Sequence, residues 1–416
     1  MRRLLFLCGH FALLAAAFAF TSSTSGFVVT GFGLALLLDR YLTRLLPWNR
    51  PVYWLKELGL RGGSLLVGAV AFYLMRPGIV PLGEAAYRGF IVSLVAFLLE
   101  VVVEQVTKYH ADSPSRAWRW KFGLRSVLLG TVAIAAPVIV TLHPLHTVPK
   151  RGPDAMGLAF DDVRFQTADG VTLAGWVVPH VEARGNVIFC HGHGRNRGHV
   201  AGLLPTFHNL GLNVLAFDFR GHGDSEGHTS TFGHREVGDL LAAASYLRAR
   251  FPDQPLFLAG ISLGAAVTLQ ALPLLPEVQG VWSEGCFSHL TAAIENEFAW
   301  LPAGLRAPML SLYHVAGYLD CGFWAPAVNP LDSLSRVNVP IYFTHGEQDE
   351  LVPIADGKAL YDAYRGPKRH WWVENASHYD VRQRHREEYL ERLRSFFEER
   401  LLAQGMAKRE TNISAK

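Results

Sequence analysis

Residues 260–264 read Gly260-Ile261-Ser262-Leu263-Gly264, a lone serine between two glycines. The apolar run 255–259 before it reads as a short buried strand, and the Ala- and Leu-rich run 265–274 after it as a helix. A sharp strand-to-helix turn there pushes the serine hydroxyl out at the head of the helix, with glycines relieving the crowding. The same pentapeptide also reads as a plain turn with a helix-capping serine. A serine hydroxyl is a weak nucleophile, so chemistry at Ser262 requires a base to take its proton and a carboxylate to orient that base. Downstream, the apolar run "VPIYFTHG" ends in Glu347-Gln348-Asp349-Glu350, and "HWWVEN" ends in Ala376-Ser377-His378-Tyr379. Asp349 and His378, each just past a strand, are the favoured acid and base. Glu347, Glu350, Asp320 and Asp332 remain alternative acids. His370 is expected to precede its strand, at the wrong end, and His385 sits in a charged, helix-like run.

Acyl chemistry at Ser262 would build an oxyanion, which needs preorganised N–H donors. Leu263 N–H, directly after the serine, is one candidate. The loop "HGHGRN" offers His193 N–H as the second, with Gly192 and Gly194 permitting close approach. A metal site built from His191, His193, His222 and His228 competes with this reading, but no carboxylate or cysteine spacing completes it, so no metal and no cofactor is expected. His191 reads instead as a brace for the loop.

The elements that must position these groups alternate. Two strands flank the turn Ala168-Asp169-Gly170, and further apolar strands are expected at 187–190 and 213–218 and within the stretches 278–285, 339–350 and 368–378, each of these three ending in a polar loop, with an amphipathic helix at 236–250. Continuous apolar strands alternating with helices predict a mostly parallel sheet covered on both faces, with the functional loops at the strands' carboxyl ends.

Half of all residues (50%) are hydrophobic and only 18% charged, an apolar excess concentrated before Pro144. Runs at 4–20, 27–38, 64–80, 89–106 and 124–142 are candidate membrane helices, four or five in number, since spanning takes ~20 apolar residues. The first also resembles a signal peptide. Arg40, Arg44, Arg50, Lys56 and Arg61 in one connection and Lys108, Arg116, Arg119, Lys121 and Arg125 in another contrast with Arg76 and Arg88 alone around Pro81. That asymmetry predicts a multi-pass integral membrane protein whose C-terminal domain lies on the periplasmic or extracellular side. A net charge of +3, with no basic stripe, argues against nucleic acid as a partner. The expected organisation is a transmembrane region at 1–142, a linker at 143–157, a catalytic domain at 158–402 and a disordered tail at 403–416. Cys286 and Cys321 are compatible with a disulfide in an oxidising compartment.

The motifs His191-Gly192-His193-Gly194, Asp218-Phe219-Arg220-Gly221-His222-Gly223-Asp224-Ser225, the Ser262 pentapeptide, His345-Gly346-Glu347-Gln348-Asp349-Glu350-Leu351-Val352-Pro353 and Ala376-Ser377-His378 occur in this order. Together they resemble the α/β-hydrolase superfamily, in particular its serine-aminopeptidase-like and monoacylglycerol-lipase-like branch, from about residue 160 to 401. The resemblance implies an eight-stranded, mostly parallel sheet with Ser262 as nucleophile, Asp349 as acid and His378 as base. It also implies that the aromatic insert at about 286–330 forms a helical cap, whose composition suits an apolar acyl pocket. The expected activity is therefore a membrane-anchored serine hydrolase acting on ester, thioester or amide bonds of small acyl or lipid-like substrates. The alternative is a catalytically silent binding or scaffolding module. The membrane region is an addition to the family pattern.

Overall fold

A computed structural model describes residues 142–144, 146–299, 303–322 and 324–414. The candidate membrane runs lie outside the described residues, except for Leu142 at the end of the last. Among the described residues, no helix is long and apolar enough to cross a membrane. The chain divides into two units, and the one described here comprises Val140–Asn296 with Gly317–Lys416.

Its frame is a single sheet of eight strands. These are β1 (Asp161–Gln166), β2 (Thr172–Val178), β3 (Gly185–Cys190), β4 (Leu212–Phe217), β5 (Leu256–Ile261), β6 (Val278–Glu284), β7 (Ile341–Gly346) and β8 (Lys368–Val373). Their spatial order is β1-β2-β4-β3-β5-β6-β7-β8. Only β1–β2 and β2–β4 pair antiparallel, and the remaining pairs are parallel. Strands β3, β4, β5 and β7 are buried along their whole length, which explains their largely apolar sequences.

The helices are α1 (Leu204–Asn209), α2 (Glu236–Arg250), α3 (Leu263–Ala271), α4 (Leu290–Glu297), α5 (Ala303–Cys321), α6 (Pro330–Leu334), α7 (Ile354–Ala363), α8 (Val381–Arg384) and α9 (Arg386–Ser414). On one face, Phe207 of α1 and Phe396 and Phe397 of α9 enclose a core with Phe189, Phe257, Trp282 and Tyr342 of the sheet. On the other, Ala243, Ala244 and Leu247 of α2 and nearly all of α3 are buried. The insert after β6 is helical, as α4 and α5, and Glu297–Ala316 belongs to the second unit.

Two expectations need correction. His370 does not precede β8 but lies inside it, opposite Phe343 of β7, because pairing with β7 begins as early as Lys368. The tail expected to be disordered from 403 is helical as far as Ser414, a continuation of α9. Ala, Met, Lys, Arg and Glu there are good helix formers, and a single Gly405 costs only ~1 kcal/mol in a helix that is already nucleated.

Candidate active site

Ser262 stands between β5 and α3 with φ +54° and ψ −115°, a left-handed backbone that a non-glycine residue adopts only when its surroundings impose it. The surroundings are tight. A Cβ on Gly260 would overlap the backbone of Gly264, and one on Gly264 would overlap the carbonyl of Cys190. Both glycines are therefore needed for α3 to start directly beneath the ends of β5 and β3. The turn is pinned from its other side by Ser262 N–H, which donates to Glu284 O at the end of β6 (2.8 Å).

The structure brings together the three residues singled out from sequence. His378 Nε2 lies 3.0 Å from Ser262 Oγ, and His378 Nδ1 lies 2.7 Å from Asp349 Oδ2. The loops after β7 and β8 supply acid and histidine respectively, each at the carboxyl edge of the sheet. Asp349 is buried, and burial alone would raise its pKa. Hydrogen bonds from His345 and His378 outweigh that effect and bring the carboxyl down to about 2. Its other oxygen, Oδ1, accepts from Leu351 N–H (3.0 Å) and Val352 N–H (2.8 Å). Of the alternative acids, Asp320 instead meets His143 Nε2 at 2.8 Å, and Asp332 lies in the first turn of α6, its backbone N–H donating to the capping Asn329 Oδ1 (3.2 Å).

The loop after β3 flanks the serine: Gly192 approaches so closely that an added Cβ would touch Ser262 Cβ at 3.5 Å. Leu263 opens α3, so its N–H is one of those a helix leaves without an intrahelical acceptor. Of the four histidines weighed as metal ligands, His191 and His222 brace loops through hydrogen bonds. His191 Nδ1–H donates to Gly192 O (2.8 Å) while Nε2 accepts from Phe219 N–H (3.1 Å). His222 Nδ1–H donates to Arg220 O (2.9 Å), and its Nε2 accepts Gly194 N–H (3.1 Å). Burial holds both rings neutral, with pKa values lowered to about 4 for His191 and about 3 for His222. The ring of His193 stacks on Phe232, 4.3 Å between centroids.

Three contributors carry no signal of their own in the sequence. His345, quoted only as part of a motif, places Nε2 2.8 Å from Val352 O and 3.3 Å from Asp349 Oδ2, steadying the acid from behind. Gly285, with φ +60°, leaves space for the His378 ring, which an added Cβ would meet at 3.3 Å. Glu284, buried beneath the elbow, accepts from Tyr389 Oη–H at 2.6 Å and faces Arg382 at 3.7 Å, tying β6 to the helices that follow His378. The described cysteines Cys190, Cys286 and Cys321 are all buried, and no disulfide joins Cys286 to Cys321.

Residues 181–310 match the family described as serine aminopeptidase, S33. The uncharacterized protein Rv2307c of Mycobacterium tuberculosis is 31% identical over 223 residues, 53% of this chain and 72% of the relative. The lysophosphatidylserine lipase ABHD12 of Danio rerio is 27% identical over 186 residues, 42% of this chain and 46% of the lipase. Among solved structures, the Pyrococcus furiosus esterase Pf2001 superposes with a TM-score of 0.52 at 25% identity, covering 62% of this chain and 98% of the esterase. The eight-stranded sheet, the family match and these relatives lead to one conclusion: the chain belongs to the α/β-hydrolase superfamily.

Proposed function

We propose that this protein is a membrane-anchored serine hydrolase that cleaves ester, thioester or amide bonds in acyl or lipid-like substrates. The observation that carries the reading is the hydrogen-bonded chain from Ser262 Oγ through His378 to Asp349, set on a strained elbow. In this reading Ser262 Oγ attacks the substrate carbonyl while His378 Nε2 takes its proton. The ionised Asp349 holds the ring with Nδ1 protonated and stabilises the imidazolium. The N–H groups of Leu263 and His193 receive the oxyanion. The tetrahedral intermediate collapses as His378 returns the proton to the leaving oxygen, sulfur or nitrogen. Water, activated by the same histidine, then releases the acid from Ser262.

The acyl preference is supported by the esterase and the lipase among the relatives, and by the apolar insert. The anchor and the periplasmic or extracellular placement rest on the apolar runs and the Lys/Arg asymmetry of the N-terminal third. The test is a panel of esters, thioesters and amides of graded acyl length, offered to the full chain in mild nonionic detergent. Turnover that depends on Ser262 and varies with acyl length is expected. Saturable binding without turnover would instead make the domain a binding module.

A further inference from the structure

Three arginines border the site on the loop after β3 and on α8. Two are matched by acids: Arg197 pairs with Asp218 and Asp224, and Arg382 faces Glu284 and also donates to His199 O at 3.3 Å. Arg195 is different. It is half-buried, yet it forms no ion pair among the described residues. Its backbone N–H closes a turn onto Gly192 O (3.2 Å), which fixes it two residues beyond His193 in the loop that flanks Ser262. Its guanidinium lies over the Tyr379 ring, 5.9 Å from the centroid. The Tyr379 ring in turn meets the His378 ring edge-on at 5.3 Å. Tyr379 is 47% exposed, so this arginine stands at a solvent-facing rim.

The acid that follows Tyr379 does not neutralise it. Asp380, next to Tyr379, accepts from Ser377 N–H (2.6 Å) and Ser377 Oγ–H (2.8 Å) and pairs with Arg384 (2.6 Å). The positive field is felt nearby. His199 is held well below the ordinary histidine range, first by burial and then by the charges of Arg382 and Arg195. A guanidinium held near an aromatic face without a carboxylate partner retains N–H donors in a planar fork, which matches the paired oxygens of a carboxylate or phosphate.

We propose that Arg195 is an anion subsite selecting substrates whose alcohol portion carries a phosphate or carboxylate. The side of the site follows from the mechanism, so the inference rests on the hydrolase reading above. The leaving oxygen must receive its proton from His378 Nε2, and Arg195 sits over the residue that follows His378. An anion on the leaving group therefore falls within its reach, whereas one at the far end of the acyl chain does not.

The experiment compares, on the full chain in nonionic detergent, decanoyl esters of glycerol 3-phosphate, lactate and glycerol, for wild type, Arg195→Gln and Arg195→Lys. Wild type is expected to favour one or both anionic esters over the neutral one in kcat/KM. Phosphate and carboxylate are distinguished by which of the two is favoured. Arg195→Gln should reduce that preference about tenfold, the weight of one charge-assisted hydrogen bond, mainly through KM. Arg195→Lys should restore part of it, and the wild-type preference should shrink between low and high salt. Equal turnover of all three esters by wild type, or equal slowing of all three in Arg195→Gln, overturns the subsite. If no ester is turned over, binding of decyl phosphate against decanol to Ser262→Ala decides separately. Phosphate-dependent binding that Arg195→Gln abolishes upholds the subsite although the hydrolase reading has failed, and indifference to the phosphate overturns it.

Discussion

Asp349 accepts four hydrogen bonds or close N–H approaches at once, from His378, His345, Leu351 and Val352. Its catalytic part is to fix which nitrogen of His378 bears the proton. Asp349→Asn keeps the shape but removes that control, so kcat on an ester should fall by about four orders of magnitude with the melting temperature little changed. A loss below tenfold would show that another acid serves. Neutrality of the loop histidines is a second residue-scale matter. A histidine whose folded-state pKa lies below its unfolded value contributes stability that is complete above that unfolded value, near 6.5. The contribution is lost as pH falls toward about 4 for His191 and about 3 for His222. Across those windows each costs up to ~1.4 kcal/mol per pH unit. The stability difference between wild type and His222→Gln should therefore shrink as pH is lowered from 6.5, and a pH-independent difference would contradict it. Ser262, Asp349 and His378 could be picked out in the sequence because each lies in the turn or loop that follows a strand. The bond from Gly194 to His222 was not, since it joins loops 28 residues apart whose meeting depends on β3 and β4 lying side by side.

At the scale of elements, the elbow rests on the approach of α3 to the ends of β3 and β5. Gly264→Ala pushes a methyl group into the Cys190 carbonyl and should lower stability by about 1–3 kcal/mol or more, with loss of activity. Gly202→Ala is the control, because nothing lies within 4 Å of its added Cβ, and it should leave the melting temperature nearly unchanged. Equal melting temperatures for the two variants would contradict this account of the elbow. Strand positions were readable because parallel, doubly covered strands are mostly apolar, as β3, β4, β5 and β7 are. β8 lies at the sheet edge and is only partly buried, so its start at Lys368 was harder to see and His370 was placed outside it. The extent of α9 was missed for a related reason, since its last turns are polar.

On the scale of the whole molecule, the segment expected to be a linker, 143–157, is fastened to the hydrolase unit together with Leu142, which precedes it. Leu142 is buried and its carbonyl accepts Ser230 N–H (2.7 Å). His143 reaches His228 O (3.0 Å) and Asp320 (2.8 Å), and His146 reaches Gly223 O (3.1 Å) and Gly227 O (2.9 Å). Asn196, next to Arg195, bonds to Thr147. These contacts brace both the His222 loop and the loop that flanks Ser262. A chain beginning at Val140 should therefore retain the stability of this unit, while one beginning at Pro153 should melt several degrees lower, losing bonds worth ~1 kcal/mol each. Equal melting of the two would make the segment a passive connector. The sequence marked the compositional change here but not the docking, because single hydrogen bonds leave no periodic trace.

The central claim is that Ser262 is an activated nucleophile, and its most direct test is labelling by a fluorophosphonate probe of the full chain in mild detergent, beside Ser262→Ala. The account predicts covalent labelling of the wild type and none of the variant. An unlabelled wild type with intact secondary structure, or a variant labelled as strongly as the wild type, would contradict it.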